Sequence, residues 1–147
     1  MLFRSVSAVG IAPSDLELYF CDTGPMNPDG VTHIHRATRS NVLAPWTDEG
    51  VEPQLDVPGV DVGWPSITPD GLTMYYEGGL PISTHIYESK RNTPGDHFGA
   101  STVLTDFGSL TAISDPDFSA DGQTLLFGAE ASPGSDHDVY MVTRTCN

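Results

Sequence analysis

The chain has 147 residues, the length of one domain, and an apolar fraction of 38% is enough to build a core. Its 20 acidic and 6 basic residues give a formal charge of −14, which argues against a protein that grips the phosphate backbone of nucleic acid. There is no run of 18 apolar residues to form a transmembrane segment, and the first ten residues lack the apolar stretch of a signal peptide.

The first predicted element is a turn that leads into an apolar strand, and the same unit returns twice. The three copies are Ile11–Asp15 before Leu16–Phe20, Pro65–Gly71 before Leu72–Tyr76, and Pro116–Gly122 before Gln123–Phe127. Pro69 suits a turn position with φ near −65°, and Gly71 and Gly122 suit the positive φ that closes such a turn. The first copy has Asp15 where the others have glycine.

The strand after each turn is apolar on both faces, which predicts that neighbouring elements cover both of its sides. These strands contain Leu18–Phe20, Met74–Tyr76 and Leu125–Phe127. A second matching strand follows in each copy, at Thr32–Arg39, Thr84–Arg91 and His137–Arg144. Several independent matches in each copy make the period of about 50 residues a repeat rather than a coincidence.

The segments between the copies, Leu43–Leu55 and Phe98–Phe107, suit an outer strand. Each full copy therefore reads as four short antiparallel strands that cannot cover their own faces. Such units stack radially in a β-propeller. We predict an all-β, single propeller segment over residues 1–147, with repeats at about 1–56, 57–107 and 108–147, the third lacking its outer strand.

The turns at Pro65–Gly71 and Pro116–Gly122, with the dipeptides Ile86-Tyr87 and Val139-Tyr140, resemble the WD40-like PD40 repeat of TolB-type propellers. The resemblance covers nearly the whole chain. It implies a repeat found in periplasmic scaffold proteins, in peptidase accessory domains and in bacterial envelope proteins, and therefore a periplasmic or extracellular location. His33 and His85 depart from it, because they stand where the third copy has Asp138 and where the family usually has an acid.

Three blades do not close a ring, since propellers have at least four and the family resembled here typically has six. The chain is then part of a longer propeller, or one of two copies that pair into a six-bladed ring, or an open arc. Each case leaves strand edges and apolar faces open on an isolated copy, so we expect self-association.

Five histidines, His33, His35, His85, His97 and His137, raise the possibility of a metal site, for which His33, His85 and Asp138 are the candidates. Residues at equivalent places in different blades need not converge, so histidines hydrogen-bonded between blades are the favoured interpretation. The acid-rich segments lack the spacing of a twelve-residue calcium loop and suit turns instead. We expect no cofactor, with calcium or another divalent cation as the alternative.

The sequence offers no support for nucleophilic catalysis. Ser66, Ser119 and Ser132 lie outside any Gly-x-Ser-x-Gly motif, and Cys21 and Cys146, which lack metal-site spacing, are expected to be free thiols. Antiparallel pairing predicts that Asp70 lies near Arg91 and Asp121 near Arg144, as structural pairs.

The up-and-down strand order predicts an acidic loop face and, at the opposite end, a basic one. The acidic face would hold Asp22, Asp29, Asp56, Asp61, Glu77, Asp106, Asp115, Glu130 and Asp136, and the basic end Arg39, Lys90, Arg91 and Arg144. Asp29, Asp61, Asp106, Asp115 and Asp136 are the predicted binding residues. We therefore expect a non-catalytic module that binds a protein, peptide or glycan; the alternative is a fragment of a metal-dependent lyase or hydrolase with its site in the central channel.

Overall fold

A computed structural model describes residues 6–22, 29–57, 59–80 and 83–143 of the chain. These residues form eleven β-strands and no helix. Within these ranges there is accordingly no helix of the length and apolarity that crossing a membrane requires.

The strands form three antiparallel sheets, which follow one another in sequence and which we call the first, second and third blades. The first blade is β1 (Val6–Ile11), β2 (Glu17–Asp22), β3 (His33–Thr38) and β4 (Thr47–Val51). The second is β5 (Asp61–Ile67), β6 (Thr73–Leu80), β7 (Ser83–Lys90) and β8 (Thr102–Val103). The third is β9 (Thr111–Phe118), β10 (Thr124–Glu130) and β11 (His137–Thr143). This is the predicted all-β propeller architecture, with the predicted strand order in every blade.

The repeat turns adopt the predicted conformation. Gly71 has φ 73°, Gly122 has φ 68°, and Asp15 takes the same left-handed region at φ 58°. The amides of Gly71 and Gly122 each close the turn by donating to the carbonyl three residues earlier, at 2.8 Å. Asp70 and Asp121 accept from the amides of the residues two positions on, at 2.9 and 3.0 Å, so both carboxylates stabilise their own turns.

We expect Gly71→Val and Gly122→Val each to lower the free energy of unfolding by about 1–2 kcal/mol through backbone strain. Space is not limiting at Gly71, where an added Cβ would meet its nearest atom at 3.7 Å, so the loss there reports φ alone. Denaturant melts of both variants test this, and Gly59→Val, at φ 76° with open space around it, should show a similar loss because it carries the same strain without any close contact. Two unchanged midpoints would contradict the strain argument.

Strand pairing sorts the side chains of each blade onto two faces, because residues directly opposite in an antiparallel pair share a face. We call the face that looks toward the next blade along the chain the front face, and the other the back face. The front faces carry Tyr19, Cys21, Ile34 and Arg36; Tyr75, Glu77, Ile86 and Glu88; and Leu126, Gly128, Val139 and Met141. The back faces carry Leu18, Phe20, His35 and Ala37; Met74, Tyr76, Tyr87 and Ser89; and Leu125, Phe127, Tyr140 and Val142.

Each interface between successive blades joins a front face to a back face. The first interface buries Tyr19, Cys21 and Ile34 against Met74 and Tyr76. The second buries Tyr75 and Ile86 against Leu125 and Phe127. Apolar contact between blades, rather than within a single sheet, therefore forms the two main cores.

A buried ion pair crosses the first interface. Glu17 Oε2 lies 2.8 Å from Arg91 Nη2, and Arg36 binds the other carboxylate oxygen. Arg91 also donates to Gly71 O at 2.7 Å and stacks over Phe98 at 4.6 Å. Arg91, which the sequence placed on a basic face, is therefore buried between blades; Arg144 lies outside the described residues, so its predicted pairing with Asp121 stays a prediction.

The front face of the third blade is open. Leu126 is 38% exposed, Met141 70% and Val139 80%. The expectation that the strand at Leu125–Phe127 would be covered on both sides is therefore wrong for Leu126, because no other sheet among the described residues packs there. Among the described strands, those of the first blade do not contact those of the third, so the three blades form an open row.

Candidate functional site

The innermost strands of the second and third blades carry the same backbone irregularity. Pairing shifts register between Gly63 and Ser66 in β5, and between Ser114 and Asp117 in β9. Within these bulges Trp64 has φ 50° and Asp115 has φ 48°, values that side chains rarely tolerate. Both residues directly precede the proline of their repeat, so the two strained positions are equivalent. Strain of this kind often marks a functional position.

Two neighbouring cavities open around Trp64, whose side chain is 43% exposed. The first, of about 250 Å³, is lined by residues of all three inner strands, among them Val9, Trp64, Ser66, Asp115 and Asp117. The second, of about 220 Å³, is lined by Thr32, Asp61, Trp64, Glu77, Gly79 and Thr84. Trp64 thus lines both cavities, and we call the two cavities with their lining residues the Trp64 site.

The Trp64 site is negatively charged. Asp115 and Asp117 line one cavity, and Asp61 and Glu77 line the other. Among the described lining residues there is no lysine or arginine to neutralise them. Four acidic residues beside one tryptophan favour a cationic ligand group.

Backbone hydrogen bonds hold two of these carboxylates in place. Asp61 accepts from the amide of Thr32 at 2.7 Å, and Glu77 accepts from the amide of Asp115 at 3.2 Å. Burial raises the pKa of Glu77, and the nearby charge of Asp115 raises it further. The hydrogen bond that the backbone amide of Asp115 donates to Glu77 lowers the pKa and so opposes both effects. The site can therefore take up a proton at Glu77 more readily than an exposed glutamate would.

Ser114 and His137 lie beside this site but are not arranged as a nucleophile and its base. Ser114 Oγ is 3.1 Å from His137 Nε2 and donates its hydrogen to Asp115 Oδ2 at 3.1 Å. A hydroxyl has one hydrogen, so His137 Nε2 is the donor in the remaining bond and has no free lone pair there. The carboxylate thus orients the serine and not the histidine, unlike a catalytic triad.

The structure brings together two of the five predicted binding residues. Asp61 and Asp115 meet around Trp64, whereas Asp29, Asp106 and Asp136 line neither cavity. Trp64 and Asp117 were missed by the sequence reasoning. The one sequence signal for Trp64 is its position immediately before Pro65, the first residue of a repeat turn. The repeat pattern alone predicts only that the chain approaches a turn there.

The metal candidates lie on separate blades. His33 Nδ1 is 2.9 Å from Asp56 and its Nε2 is 3.2 Å from Asp29. Although burial lowers the pKa of His33, the two carboxylates outweigh it and raise the pKa above its ordinary value. His85 lies 3.5 Å from Ser83 Oγ, and Asp138 pairs with Ala129 across its own sheet. Within the part of the chain that the structure describes, no three His, Cys, Asp or Glu side chains are grouped to hold a metal ion.

One histidine does link two blades. His97, in the second blade, has its Nδ1 2.9 Å from the carboxylate of Glu52, which follows the outer strand of the first blade. Glu52 also accepts from the amide of Phe98 at 3.1 Å. This contact is structural, as the sequence interpretation favoured for the histidines.

Comparison with known proteins finds similarity to solved structures but not to sequence families. No protein-family model matches the chain, and no curated protein matches its sequence. The crystal structure of TolB from Acinetobacter baumannii is similar, with a TM-score of 0.45 and 15% sequence identity. The match covers 94% of this chain and 41% of TolB, so the chain spans less than half the length of that protein.

Proposed function

We propose that this chain is a non-catalytic propeller module that binds a basic segment of a protein or peptide partner at the Trp64 site. The observation that carries the proposal is a strained, half-exposed tryptophan shared by two cavities that four carboxyl groups line. A lysine or arginine side chain on the indole would gain a cation–π contact, worth about 0.5–2 kcal/mol, together with the charge of the acids.

The size of the cavities favours side chains over a whole small molecule. Their volumes, about 250 and 220 Å³, are smaller than the range of roughly 300–1,000 Å³ that holds drug-sized ligands and many substrates. Two adjacent cavities on one side of a propeller suit alternate side chains of an extended peptide. The arrangement of Ser114, His137 and Asp115 gives no corresponding support to a hydrolase.

A direct test titrates the chain with a synthetic peptide of alternating arginine and glycine, with an equal-length glutamate–glycine peptide as the negative control. We expect the basic peptide to bind and its affinity to fall as salt screens the site. Asp61→Asn with Asp115→Asn should weaken binding about tenfold or more, since two charge-assisted contacts are lost. The matched control, Asp106→Asn with Asp136→Asn, changes the net charge equally but leaves both cavities intact.

The variant Trp64→Ala distinguishes binding at a defined site from general attraction to an acidic surface. We expect it to weaken the basic peptide as well, while Trp46→Phe leaves affinity unchanged, because Trp46 packs on the first blade under Arg39. Equal loss in both pairs of charge variants would show general attraction and contradict the site. If a neutral oligosaccharide bound in a manner that depends on Trp64, the ligand of the site would be a glycan and not a peptide. If Ca²⁺ bound in a manner that depends on Asp61 and Asp115, the ligand would be a metal cation.

A further inference from the structure

The side chain of His33 contacts two carboxylates at once. His33 begins β3, and its side chain is 10% exposed on the back face of the first blade. Its Nδ1 lies 2.9 Å from Asp56 Oδ1, and its Nε2 lies 3.2 Å from each carboxylate oxygen of Asp29. Asp29 belongs to the connection between β2 and β3, and Asp56 to the connection between β4 and β5. The imidazole ring therefore joins two separate connections of the chain.

The protonation state of His33 follows from this geometry. A neutral imidazole has one N–H, and its other nitrogen carries a lone pair that can only accept, as an ionised carboxylate does. Only the imidazolium donates from both nitrogens, so only the charged ring satisfies both contacts. The bond from the amide of Val31 and the contact with His33 lower the pKa of Asp29, which keeps that carboxyl group ionised. An imidazolium has no free lone pair, so His33 in this state cannot bind a metal ion.

Backbone hydrogen bonds beside His33 reach the second blade. The amide of Thr32 donates to Asp61 Oδ1 at 2.7 Å, and the amide of Val62 donates to Thr32 O at 3.0 Å. Thr32 and Asp61 both line the second cavity of the Trp64 site. His33 therefore directly follows a residue that joins the first blade to the second at the edge of that cavity.

The other charged groups around His33 have different partners. The titratable groups on the elements packed around it are Asp22 on β2, His35 on β3, Asp48 on β4, Glu52 after β4 and Asp61 on β5. Asp48 lies 3.7 Å from Nδ1 of His35, and Glu52 contacts a histidine of the second blade. Within the described ranges no lysine or arginine pairs with Asp29 or Asp56, so His33 is the cation that holds these two acids together.

We propose that His33 is a pH-sensitive clamp between the two connections: while charged it holds both acids, and on losing its proton it releases one of them. Burial lowers the pKa of His33, but its hydrogen bonds with Asp29 and Asp56 outweigh burial and raise the pKa above the ordinary value of 6.5. A group whose pKa is higher in the folded state binds its proton more tightly there. The contribution of the clamp is therefore complete below pH 6.5 and is lost as the pH rises through the higher, folded value.

An NMR titration of the histidine side chains tests the charge on His33. We expect its resonances to titrate with a midpoint above the ordinary value of 6.5, and Asp29→Asn to lower that midpoint by about half a pH unit or more, since one carboxylate is lost. Asp29 is 52% exposed, so this variant should fold, which circular dichroism verifies. Asp136→Asn changes the net charge equally on the third blade and should leave the midpoint unchanged. A midpoint at or below the ordinary value, or one that Asp29→Asn does not move, would overturn the proposal.

Hydrogen exchange tests whether loss of the proton opens the clamp. We expect protection factors, corrected for the pH dependence of intrinsic exchange, to fall about threefold or more at the amides of Thr32 and Val62 between about pH 6 and pH 9. The amide of Leu104, which donates to Ile86 O in the second blade, is the internal control and should change less. Protection at Thr32 and Val62 that follows Leu104 at every pH would contradict the clamp.

The equivalent histidine of the second blade provides a matched variant. His85 occupies the position of His33, but its hydrogen bond is to Ser83 Oγ, at 3.5 Å, and not to a carboxylate. We expect His33→Gln to abolish the pH dependence of protection at Thr32, and His85→Gln to leave it as in the wild type. If both variants kept the dependence, or both lost it, the opening would not depend on His33.

Discussion

Glu17→Ala should destabilise the fold by about 3–5 kcal/mol, the usual cost of removing one partner from a buried ion pair. Glu17 lies between Arg36 and Arg91, and the side chain of Arg91 is fully buried. Without the carboxylate, two guanidinium groups face each other at the interface of the first two blades. Denaturant unfolding with a fixed m-value measures the loss.

Lys90→Ala is the control, because Lys90 also pairs with an oppositely charged side chain, that of Glu88, but Lys90 itself is exposed. Exposed pairs contribute about 0–1 kcal/mol, so the control should cost far less. A loss from Glu17→Ala no larger than that of the control would mean that solvent reaches the ion pair.

Glu17 also gives the stability a defined pH dependence. Burial alone raises its pKa, but hydrogen bonds and charge from Arg91 and Arg36 outweigh burial and hold the pKa below its ordinary value of 4.5. A group whose pKa is lower in the folded state binds its proton more weakly there than in the unfolded chain. Its contribution is therefore complete above pH 4.5 and is lost as the pH falls through the lower, folded value; Glu17→Gln should flatten this acid limb of the stability profile.

Tyr76→Ala is the second large effect that we expect, at about 3–5 kcal/mol for a buried aromatic residue reduced to a methyl group. Tyr76 is fully buried in the first interface and stacks on Tyr87 with ring centroids 5.3 Å apart. Its hydroxyl donates to Ser101 Oγ at 2.6 Å, and burial raises the pKa of Tyr76 to about 12. Thermal or denaturant unfolding provides the measurement.

Tyr76→Phe separates the ring from the hydroxyl. It keeps the stacking and loses the hydrogen bond to Ser101, so we expect a cost of about 1 kcal/mol. If the phenylalanine and alanine variants were equally unstable, the hydrogen bond rather than the packing would hold this interface.

The blades were predictable from sequence because each depends on local signals that recur. Gly71 and Gly122 needed positive φ, and the alternation around Ile34, Ile86 and Val139 set strand pairing three times. Glu17 escaped prediction because its equivalents are Thr73 and Thr124, so no repeat signal marks it. Its partner Arg91 was predicted near Asp70, which binds its own turn, since sequence spacing along one hairpin carries no information about the neighbouring blade.

The candidate site was predictable only in part for a different physical reason. Asp61 and Asp115 followed from strand direction, which assigns loops to one end of a blade. Trp64 lies in a bulge, and the alternation of apolar residues that predicts a strand does not by itself locate a bulge within it. Strand direction assigned Asp106 and Asp136 to the same loop face, yet these residues line neither cavity.

Cys21 makes the first interface observable by chemistry. Its thiol is fully buried on the front face of the first blade, and an added side-chain atom at Gly63 of the second blade would lie 3.2 Å from its sulfur. Burial raises the pKa of Cys21 to about 11, so the reactive thiolate is scarce at neutral pH even when a reagent reaches it. In a Cys146→Ser background, the rate at which a thiol reagent labels Cys21 therefore measures how often the first and second blades separate.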